Sequence, residues 1–271
     1  MSGAGVPDVL AKIVAAEVDV VADAKRRNPL AALRATELYA APRRSLVDSL
    51  AARVPGVIAE CKRRSPSKGV LRDPYDPVAI AKGYEAAGAS GISVLTNEEF
   101  FGGTLAELAA VRAAVDVPLL RKDFVIDEFQ LEEARAFGAD AALLIVSVLE
   151  PAQLVDLTQA ATGLGLDVLV EIHSREELEP ALLCGAQLVG INNRNLHNFV
   201  TDLATTEQLA PLVPEDRTVV AESGLRDGAD LRRLAASGAG CFLVGEAFMK
   251  SDVPGDALRA MIEEFQAGEG H

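Results

Sequence analysis

The sequence predicts a (β/α)₈ barrel, the TIM-barrel fold, preceded by an additional helical segment. Three observations predict it: eight short apolar runs, an amphipathic helical pattern after each run, and a Gly-Ala pair that recurs at four of the helix ends. Because the runs are apolar throughout rather than alternating, they indicate a parallel sheet buried on both faces. Eight runs over about 215 residues from Pro55 onward fit a closed barrel of about 200 to 250 residues better than an open doubly wound sheet.

The chain is interpreted as a single domain, with an N-terminal helical extension over residues 1–54 and the barrel over residues 55–271. The extension is polar and rich in Ala, and its helical pattern is interrupted at Asn28-Pro29 and at Ala41-Pro42. Proline lacks a backbone N–H and disfavours helix at the residue before it, so we expect separate helices here.

Each strand of the predicted barrel is followed by a helix. The strands are expected at residues 57–61, 91–95, 118–121, 141–147, 168–172, 188–191, 218–221 and 241–244. The helices are expected at residues 77–87, 104–115, 129–137, 151–164, 174–183, 205–212, 228–237 and 255–265. The Gly of each Gly-Ala pair stands where a helix should end, which predicts left-handed C-caps at Gly88, Gly138, Gly185 and Gly238.

The composition argues against several classes of function. A formal net charge of −14 would repel nucleic acids and anionic membranes over most of the surface. The longest apolar stretch, residues 139–149, is far shorter than the ~20 residues that cross a membrane. Cys61, Cys184 and Cys241 are odd in number and widely spaced, and no signal peptide is visible, so neither disulfides nor a zinc site is expected. These features predict a soluble, cytoplasmic protein.

Polar or charged residues stand at the end of nearly every predicted strand, where barrels of this kind place their active sites. They are Glu60, Lys62, Thr96, Arg121, Lys122, Ser147, Glu171, Asn192, Arg194, Glu222 and Ser223, with Gly245 after the last strand. One strand-end charge is more often solvated or ion-paired than catalytic, but so many at one mouth favour an active site.

The charged residues of this set predict acid–base chemistry on a small anion. Lys122 has Arg121 as its neighbour in sequence and Lys62 across the mouth, and neighbouring cations are expected to lower its pKa and make it a proton donor. A Glu in a drier pocket is expected to have a raised pKa and to serve as a base.

The loops after the seventh and eighth strands predict a phosphate site. Residues 221–225 (AESGL) and 243–247 (LVGEA) each follow a strand and precede a helix, and their small residues allow backbone N–H groups to approach an anion. Lys62 is expected to supply positive charge, and residues 62–68 (KRRSPSK) to form a mobile active-site loop. His173 and His197 are expected to be surface residues or to have their polar groups satisfied, and Cys61 is expected to face the opposite side of the strand from Glu60 and Lys62.

Several blocks together resemble one known family. Residues 57–67 (VIAECKRRSPS) resemble the first-strand signature of the indole-3-glycerol-phosphate synthases, and the later blocks of that family are matched in order by LRKDF (120–124), LVEI (169–172), GINNRNL (190–196) and AESG (221–224). The N-terminal helical extension resembles the segment that partly covers the barrel mouth in this family.

The resemblance implies a reaction in tryptophan biosynthesis that needs neither a metal nor an organic cofactor. The phosphorylated small molecule 1-(2-carboxyphenylamino)-1-deoxyribulose 5-phosphate would close to indole-3-glycerol phosphate, with loss of carbon dioxide and water. Lys122 would act as general acid, Glu171 and Glu60 would serve as base and assist dehydration, and Lys62 would bind anionic groups and share proton transfers. A monomer or a weak homodimer is expected.

The resemblance also implies two sets of binding residues. Those expected to contact the substrate are Ser65, Phe101, Phe124, Asn192, Arg194, Leu196 and Glu222. Those expected at the phosphate are Lys62, Ser223, Gly224, Gly245 and Glu246. Glu246 departs from members that have Ser there, so its side chain should point away and leave only its backbone N–H for the phosphate.

Two alternatives to this interpretation are kept open. Another phosphate-binding barrel, such as an isomerase of the tryptophan or histidine pathway, would require an Asp or Cys acid–base pair where this chain has Glu and Lys. A catalytically silent barrel that acts as a scaffold would have lost the strand-end charges, and the principal ones are present.

Overall fold

The fold is a closed barrel of eight parallel strands with helices between successive strands, as predicted, in a computed structural model that describes residues 8–195 and 199–268. The barrel strands are β1 (Gly56–Cys61), β4 (Gly91–Leu95), β5 (Leu119–Lys122), β6 (Ala141–Ile145), β7 (Asp167–Ile172), β8 (Leu188–Asn192), β9 (Thr218–Glu222) and β10 (Cys241–Val244). A two-stranded antiparallel hairpin, β2 (Arg64–Ser65) and β3 (Gly69–Val70), follows the first barrel strand. Each barrel strand pairs with its sequence neighbour, and β10 closes the circle on β1.

The helices of the extension are α1 (Asp8–Arg27), α2 (Leu30–Arg34), α3 (Glu37–Ala40) and α4 (Leu46–Ala51). Those of the barrel are α5 (Pro77–Ala86), α6 (Glu98–Phe101), α7 (Leu105–Arg112), α8 (Glu128–Ala136), α9 (Pro151–Gly163), α10 (Leu178–Leu183), α11 (Ala204–Leu209), α12 (Gly228–Ala235), α13 (Glu246–Met249) and α14 (Pro254–Ala267). The four predicted C-cap glycines all have positive φ, from 85° to 103°. Two predicted elements are shorter than expected, because 3₁₀ turns at Val146–Val148 and Ala210–Leu212 replace their last residues.

Side chains fill the barrel in layers of four taken from alternate strands, as the geometry of this fold requires. Ile58, Leu120, Leu169 and Val220 form one apolar layer on β1, β5, β7 and β9. Two residues further along the same strands the layer consists of Glu60, Lys122, Glu171 and Glu222, which we call the charged layer. The barrel core therefore changes from apolar to charged between two adjacent layers, which are two residues apart on each strand.

The extension contacts both ends of the barrel. At the amino-terminal end, Leu46 and Leu50 of α4 are fully buried, and Asp167 Oδ2 accepts hydrogen bonds from the backbone N–H groups of Leu46 (2.6 Å) and Val47 (3.1 Å). At the opposite end, Glu17 of α1 accepts a hydrogen bond from Asn97 (2.9 Å). The extension therefore reaches from one end of the barrel to the other, and α1 lies beside the mouth that contains the charged layer.

Candidate active site

Lys122 occupies the centre of the charged layer. Its Nζ donates to Glu171 Oε2 and to Glu222 Oε2, both at 2.9 Å. Burial by itself lowers the pKa of Lys122, but the negative charges of Glu171, Glu222 and Glu60 outweigh burial and raise this pKa above its ordinary value. The expectation that neighbouring cations lower this pKa was wrong, because the groups around the ammonium are carboxylates.

Arg121 contributes nothing to the charged layer, although it precedes Lys122. Successive side chains of a strand face opposite sides, and Arg121 is directed outward, where it donates to Asp123 (3.1 Å) and to the backbone carbonyl oxygen of Gln130 (2.5 Å). Its role in the expected lowering of the Lys122 pKa was therefore wrong as well.

The two carboxylates bound to Lys122 differ in protonation. Burial raises the pKa of Glu171, but Lys122 and His173 oppose it and hold that pKa well below its usual range. Burial raises the pKa of Glu222 to about 8, with Lys122 opposing this shift and the charge of Glu171 adding to it. The raised carboxyl pKa expected for a base in a dry pocket thus belongs to Glu222, whereas Glu171 is ionised.

Glu60 and Lys62 form a second buried pair at the edge of the charged layer. Lys62 Nζ donates to Glu60 Oε1, and both side chains are largely buried. Gly245 lies so close to this pair that a Cβ there would approach Glu60 Oε1 to 2.5 Å. The absence of a side chain at Gly245 is therefore required by packing against Glu60, whatever the loop binds.

A cavity of about 170 Å³ opens above the charged layer. One wall is apolar: the rings of Phe101 and Phe124 lie 6.2 Å apart, and Val9, Leu10 and Ile13 of α1 extend that wall. Ser65 of the hairpin also lines the cavity, while Leu196, predicted to contact the substrate, lies outside the described residues. Residues 62–68, predicted as a mobile loop, include the hairpin strand β2; their mobility remains a prediction.

The opposite wall carries the residues predicted to bind phosphate. Ser223 and Gly224 have left-handed backbone conformations, with φ of 65° and 80°, and a side chain at Gly224 would collide with Thr201. Arg194 donates to Glu246 Oε2 at 3.0 Å, and Lys250 donates to Glu246 Oε1 at 2.7 Å. The Glu246 carboxylate thus forms ion pairs with two cations. One of them, Arg194, lines the cavity, as does Glu246.

Asn192 and His173 both lie beside Oε1 of Glu171, the carboxylate oxygen that does not contact Lys122. Asn192 Nδ2 donates to Glu171 Oε1 at 3.1 Å, and His173 Nε2 lies 3.2 Å from the same oxygen. Burial lowers the pKa of His173, but Glu171 and Glu177 outweigh burial and raise it to about 10. His173, predicted to be a surface or satisfied residue, is largely buried between Glu171 and Glu177.

The structure therefore brings Glu60, Lys62, Lys122, Glu171 and Glu222 together, as the strand-end pattern predicts. Val9, Leu10 and Ile13 of α1, which also line the cavity, were not among the predicted site residues. In the described part of the chain, no three His, Cys, Asp or Glu side chains are grouped so as to hold a metal ion. Within that same part, no helix has the length and apolar character needed to cross a membrane.

The family model and similar curated proteins indicate the same family. Residues 10–261 match the family model described as "Indole-3-glycerol phosphate synthase". Proteins of that name from Acidithiobacillus ferrooxidans and Burkholderia vietnamiensis are 48% and 49% identical to this chain, over 93% and 94% of its length and 97% and 98% of theirs. The relative of the same name from Azospirillum brasilense is 47% identical over 94% of this chain and 99% of its own.

Solved structures share the fold at much lower identity. A mandelate oxidase variant with a monooxide FMN adduct superposes with a TM-score of 0.62 at 20% identity, covering 80% of this chain and 74% of that chain. Mandelate oxidase with (S)-2-phenylpropionate gives a TM-score of 0.61, also at 20% identity, over 80% and 73% of the two chains. At this identity the likeness shows the barrel alone.

Proposed function

Because this chain belongs to the indole-3-glycerol phosphate synthase family, we propose that its charged layer performs the ring closure of that family. The reaction converts 1-(2-carboxyphenylamino)-1-deoxyribulose 5-phosphate to indole-3-glycerol phosphate in tryptophan biosynthesis, releasing carbon dioxide and water. The observation that carries the assignment of residues is the pair of 2.9 Å contacts that Lys122 makes with Glu171 and Glu222 beneath the cavity.

The two walls of the cavity orient the substrate over this layer. The anthranilate ring packs between Phe101, Phe124 and the apolar residues of α1, and Leu196 remains a proposed contact. The phosphate is received at the other wall by backbone N–H groups of Ser223, Gly224, Gly245 and Glu246, while Lys62 and Arg194 supply positive charge. Ser65 and Asn192 contribute polar contacts between the two ends.

Lys122 donates the first proton. When the ring carbon attacks the ketone, the ketone oxygen takes a proton from the Lys122 ammonium and becomes a hydroxyl. The carboxylates around Lys122 keep its pKa raised, so the ammonium carries that proton at neutral pH. Glu222, with a pKa of about 8 and its Oε2 2.9 Å from Nζ, can then return a proton to the neutral amine.

The later steps use Glu171 and Glu60. Loss of carbon dioxide leaves the bonding electron pair in the ring and restores its aromaticity, which requires no proton. Dehydration requires a proton for the leaving hydroxyl, supplied by one of the two lysines, and a base for the proton that the substrate loses. Glu171 is the base because Lys122 and His173 keep it ionised, and Glu60, bonded to Lys62, assists at the edge of the layer.

A fluorescence assay tests this function. The chain has no Trp, so the indole signal formed from the substrate can be followed without interference. We expect turnover by the wild type, retention in Lys82→Met, which removes an exposed lysine of α5, and loss of at least about 100-fold in kcat for Lys122→Met, with KM within about tenfold. Full turnover by Lys122→Met would exclude the assigned acid. An absence of turnover by the wild type would favour a scaffold role instead.

We also propose that the chain acts as a monomer or a weak homodimer in the cytoplasm, without nucleic-acid or membrane partners. The charged layer and both cavity walls come from one chain, and its three cysteines are free and buried. Sedimentation at concentrations that span those of the assay tests the oligomeric state: a stable larger assembly would contradict it.

A further inference from the structure

Asn193 is a buried amide next to the site that the proposed chemistry does not use. It follows Asn192 at the end of β8, but whereas Asn192 lines the cavity, Asn193 does not, and it is only 2% exposed. Its side chain is bonded at both ends to other parts of the barrel. Those bonds join the start of α11 to the turn after β9, where the phosphate is proposed to bind.

The oxygen end of Asn193 is anchored to α11. Oδ1 accepts from the backbone N–H of Thr206 (3.1 Å) and from its hydroxyl (2.8 Å), and Thr206 is fully buried. Two donors at Oδ1 leave one orientation for the amide, with Nδ2 directed at the turn after β9.

The nitrogen end of Asn193 holds two successive carbonyl groups of that turn. Nδ2 donates to the backbone oxygen of Glu222 (3.0 Å) and to that of Ser223 (3.1 Å). In a trans peptide the C=O and the N–H point in opposite directions. Fixing these two oxygens therefore directs the N–H groups of Ser223 and Gly224 away from Asn193. The Glu222 oxygen also accepts from the backbone N–H of Asn193 (2.9 Å), so the Ser223 oxygen is the one that depends on the side chain.

The turn requires such a restraint because its backbone is strained. Ser223 has a φ of 65°, which is unfavourable for a residue with a Cβ, and Gly224 follows with a φ of 80°. Both residues line the cavity at its proposed phosphate end. Without the Asn193 amide, the Ser223–Gly224 peptide would lose the bond that fixes its plane.

We propose that Asn193 is a positioning residue for the substrate phosphate, because it sets the direction of the Ser223 and Gly224 N–H groups. The proposal rests on the proposed function, in which these groups receive the phosphate. Asn193 touches no reacting atom, so its loss should weaken binding of the phosphorylated substrate and leave the chemical step unchanged.

The test compares the substrate with its dephosphorylated analogue in the wild type, in Asn193→Ala and in the matched variant Thr206→Val. For Asn193→Ala we expect KM for the phosphorylated substrate to rise about 10- to 100-fold, as when a hydrogen bond to a charged group is lost. We expect kcat to stay within about threefold, and kcat/KM for the analogue to stay unchanged. Thr206→Val retains the Thr206 N–H that holds Oδ1, so its KM should change by less than about threefold.

The outcomes separate this proposal from the one on which it rests. If the wild type turns over both substrates equally well, phosphate binding at this wall is wrong. The other outcome is that the wild type prefers the phosphorylated substrate, but Asn193→Ala lowers kcat/KM by the same factor for both substrates. Asn193 then has a general structural role, and the positioning role is overturned. If Asn193→Ala does not fold, Asn193→Ser replaces it. Serine leaves a smaller cavity than alanine, but its side chain is too short to reach the backbone oxygens of Glu222 and Ser223.

Discussion

Lys122 and Glu222 lie on strands that face each other across the barrel, and their charged atoms meet at 2.9 Å although they are 100 residues apart in the chain. The same ammonium contacts Glu171, so one cation is shared by two carboxyl groups. Two carboxyl groups that share one buried ammonium cannot both ionise cheaply, whereas Glu60, the third carboxyl group of the layer, is paired with Lys62. Burial, with the charge of Glu171 adding to it, raises the pKa of Glu222 to about 8, so Glu222 carries a second proton next to the Lys122 ammonium at neutral pH.

Glu222→Gln should remove the alkaline limb of the pH profile. Glu222 is protonated below about pH 8 and ionises above it, so wild-type kcat/KM should fall as the pH rises through 8. Glutamine retains an oxygen for the Lys122 ammonium but cannot ionise. The variant should therefore keep kcat/KM level between pH 7 and 9, at a value lowered by about tenfold because proton return is lost.

The profiles of both proteins can be measured with the fluorescence assay under identical buffers. Glu207→Gln is a suitable control, since Glu207 is a half-buried ion-pair partner of Arg233 that does not line the cavity. An unchanged alkaline limb in Glu222→Gln would show that another group titrates there.

His173→Gln should raise the pKa of Glu171. The protonated ring of His173 lies 3.2 Å from Glu171 Oε1, and its own pKa of about 10 keeps it charged in the assay range. Glutamine removes that charge, so the acid limb of the pH profile of kcat should shift to higher pH by about one unit. Arg175→Gln, which removes an exposed cation two residues away, should leave the limb in place because solvent screens that charge. Coincident acid limbs in His173→Gln and the wild type would exclude His173 from this role.

The convergence of the charged side chains on one cavity was predictable from the sequence, whereas the directions of their pKa shifts were not. Eight strand ends that converge on one mouth bring Glu60, Lys122, Glu171 and Glu222 together, and this follows from counting strands. Strand alternation alone also places Arg121 opposite Lys122, a signal that the sequence analysis did not use. Whether the pKa of Lys122 is raised or lowered depends on which charges lie within a few ångströms of its ammonium. One of those charges, Glu222, is 100 residues away in the chain and is brought to Lys122 only when the barrel closes.

The contribution of α1 was predictable only in outline. A segment that partly covers the mouth was expected, but the polarity of α1 did not indicate that Leu10 and Ile13 line the cavity. A helix shows which of its faces is buried only if its apolar residues keep to one stripe, and in α1 the exposed Val18 and Val20 break that stripe. The contacts of Glu17 with Asn97 and Gln130, 80 and 113 residues away, carry no local sequence signal.

Glu17 should make the stability of the fold decrease as the pH rises. It is 3% exposed on α1 and accepts from Asn97 Nδ2 (2.9 Å) and Gln130 Nε2 (3.0 Å). Burial, with the charge of Asp123 adding to it, raises its pKa to about 8. A carboxyl group whose pKa is higher in the folded than in the unfolded protein binds more protons when folded, so folding loses free energy as the pH rises towards 8.

Glu17→Gln removes this titration. Between pH 6 and 8 the free energy of unfolding of the wild type should fall relative to that of the variant, by up to about 1 kcal/mol per pH unit. Urea unfolding of both proteins at pH 6 and pH 8 measures the difference, with Asp19→Asn on the exposed side of α1 as the matched control. If Glu17→Gln and the wild type show parallel pH dependence, the pKa of Glu17 is not raised by folding and the prediction is wrong.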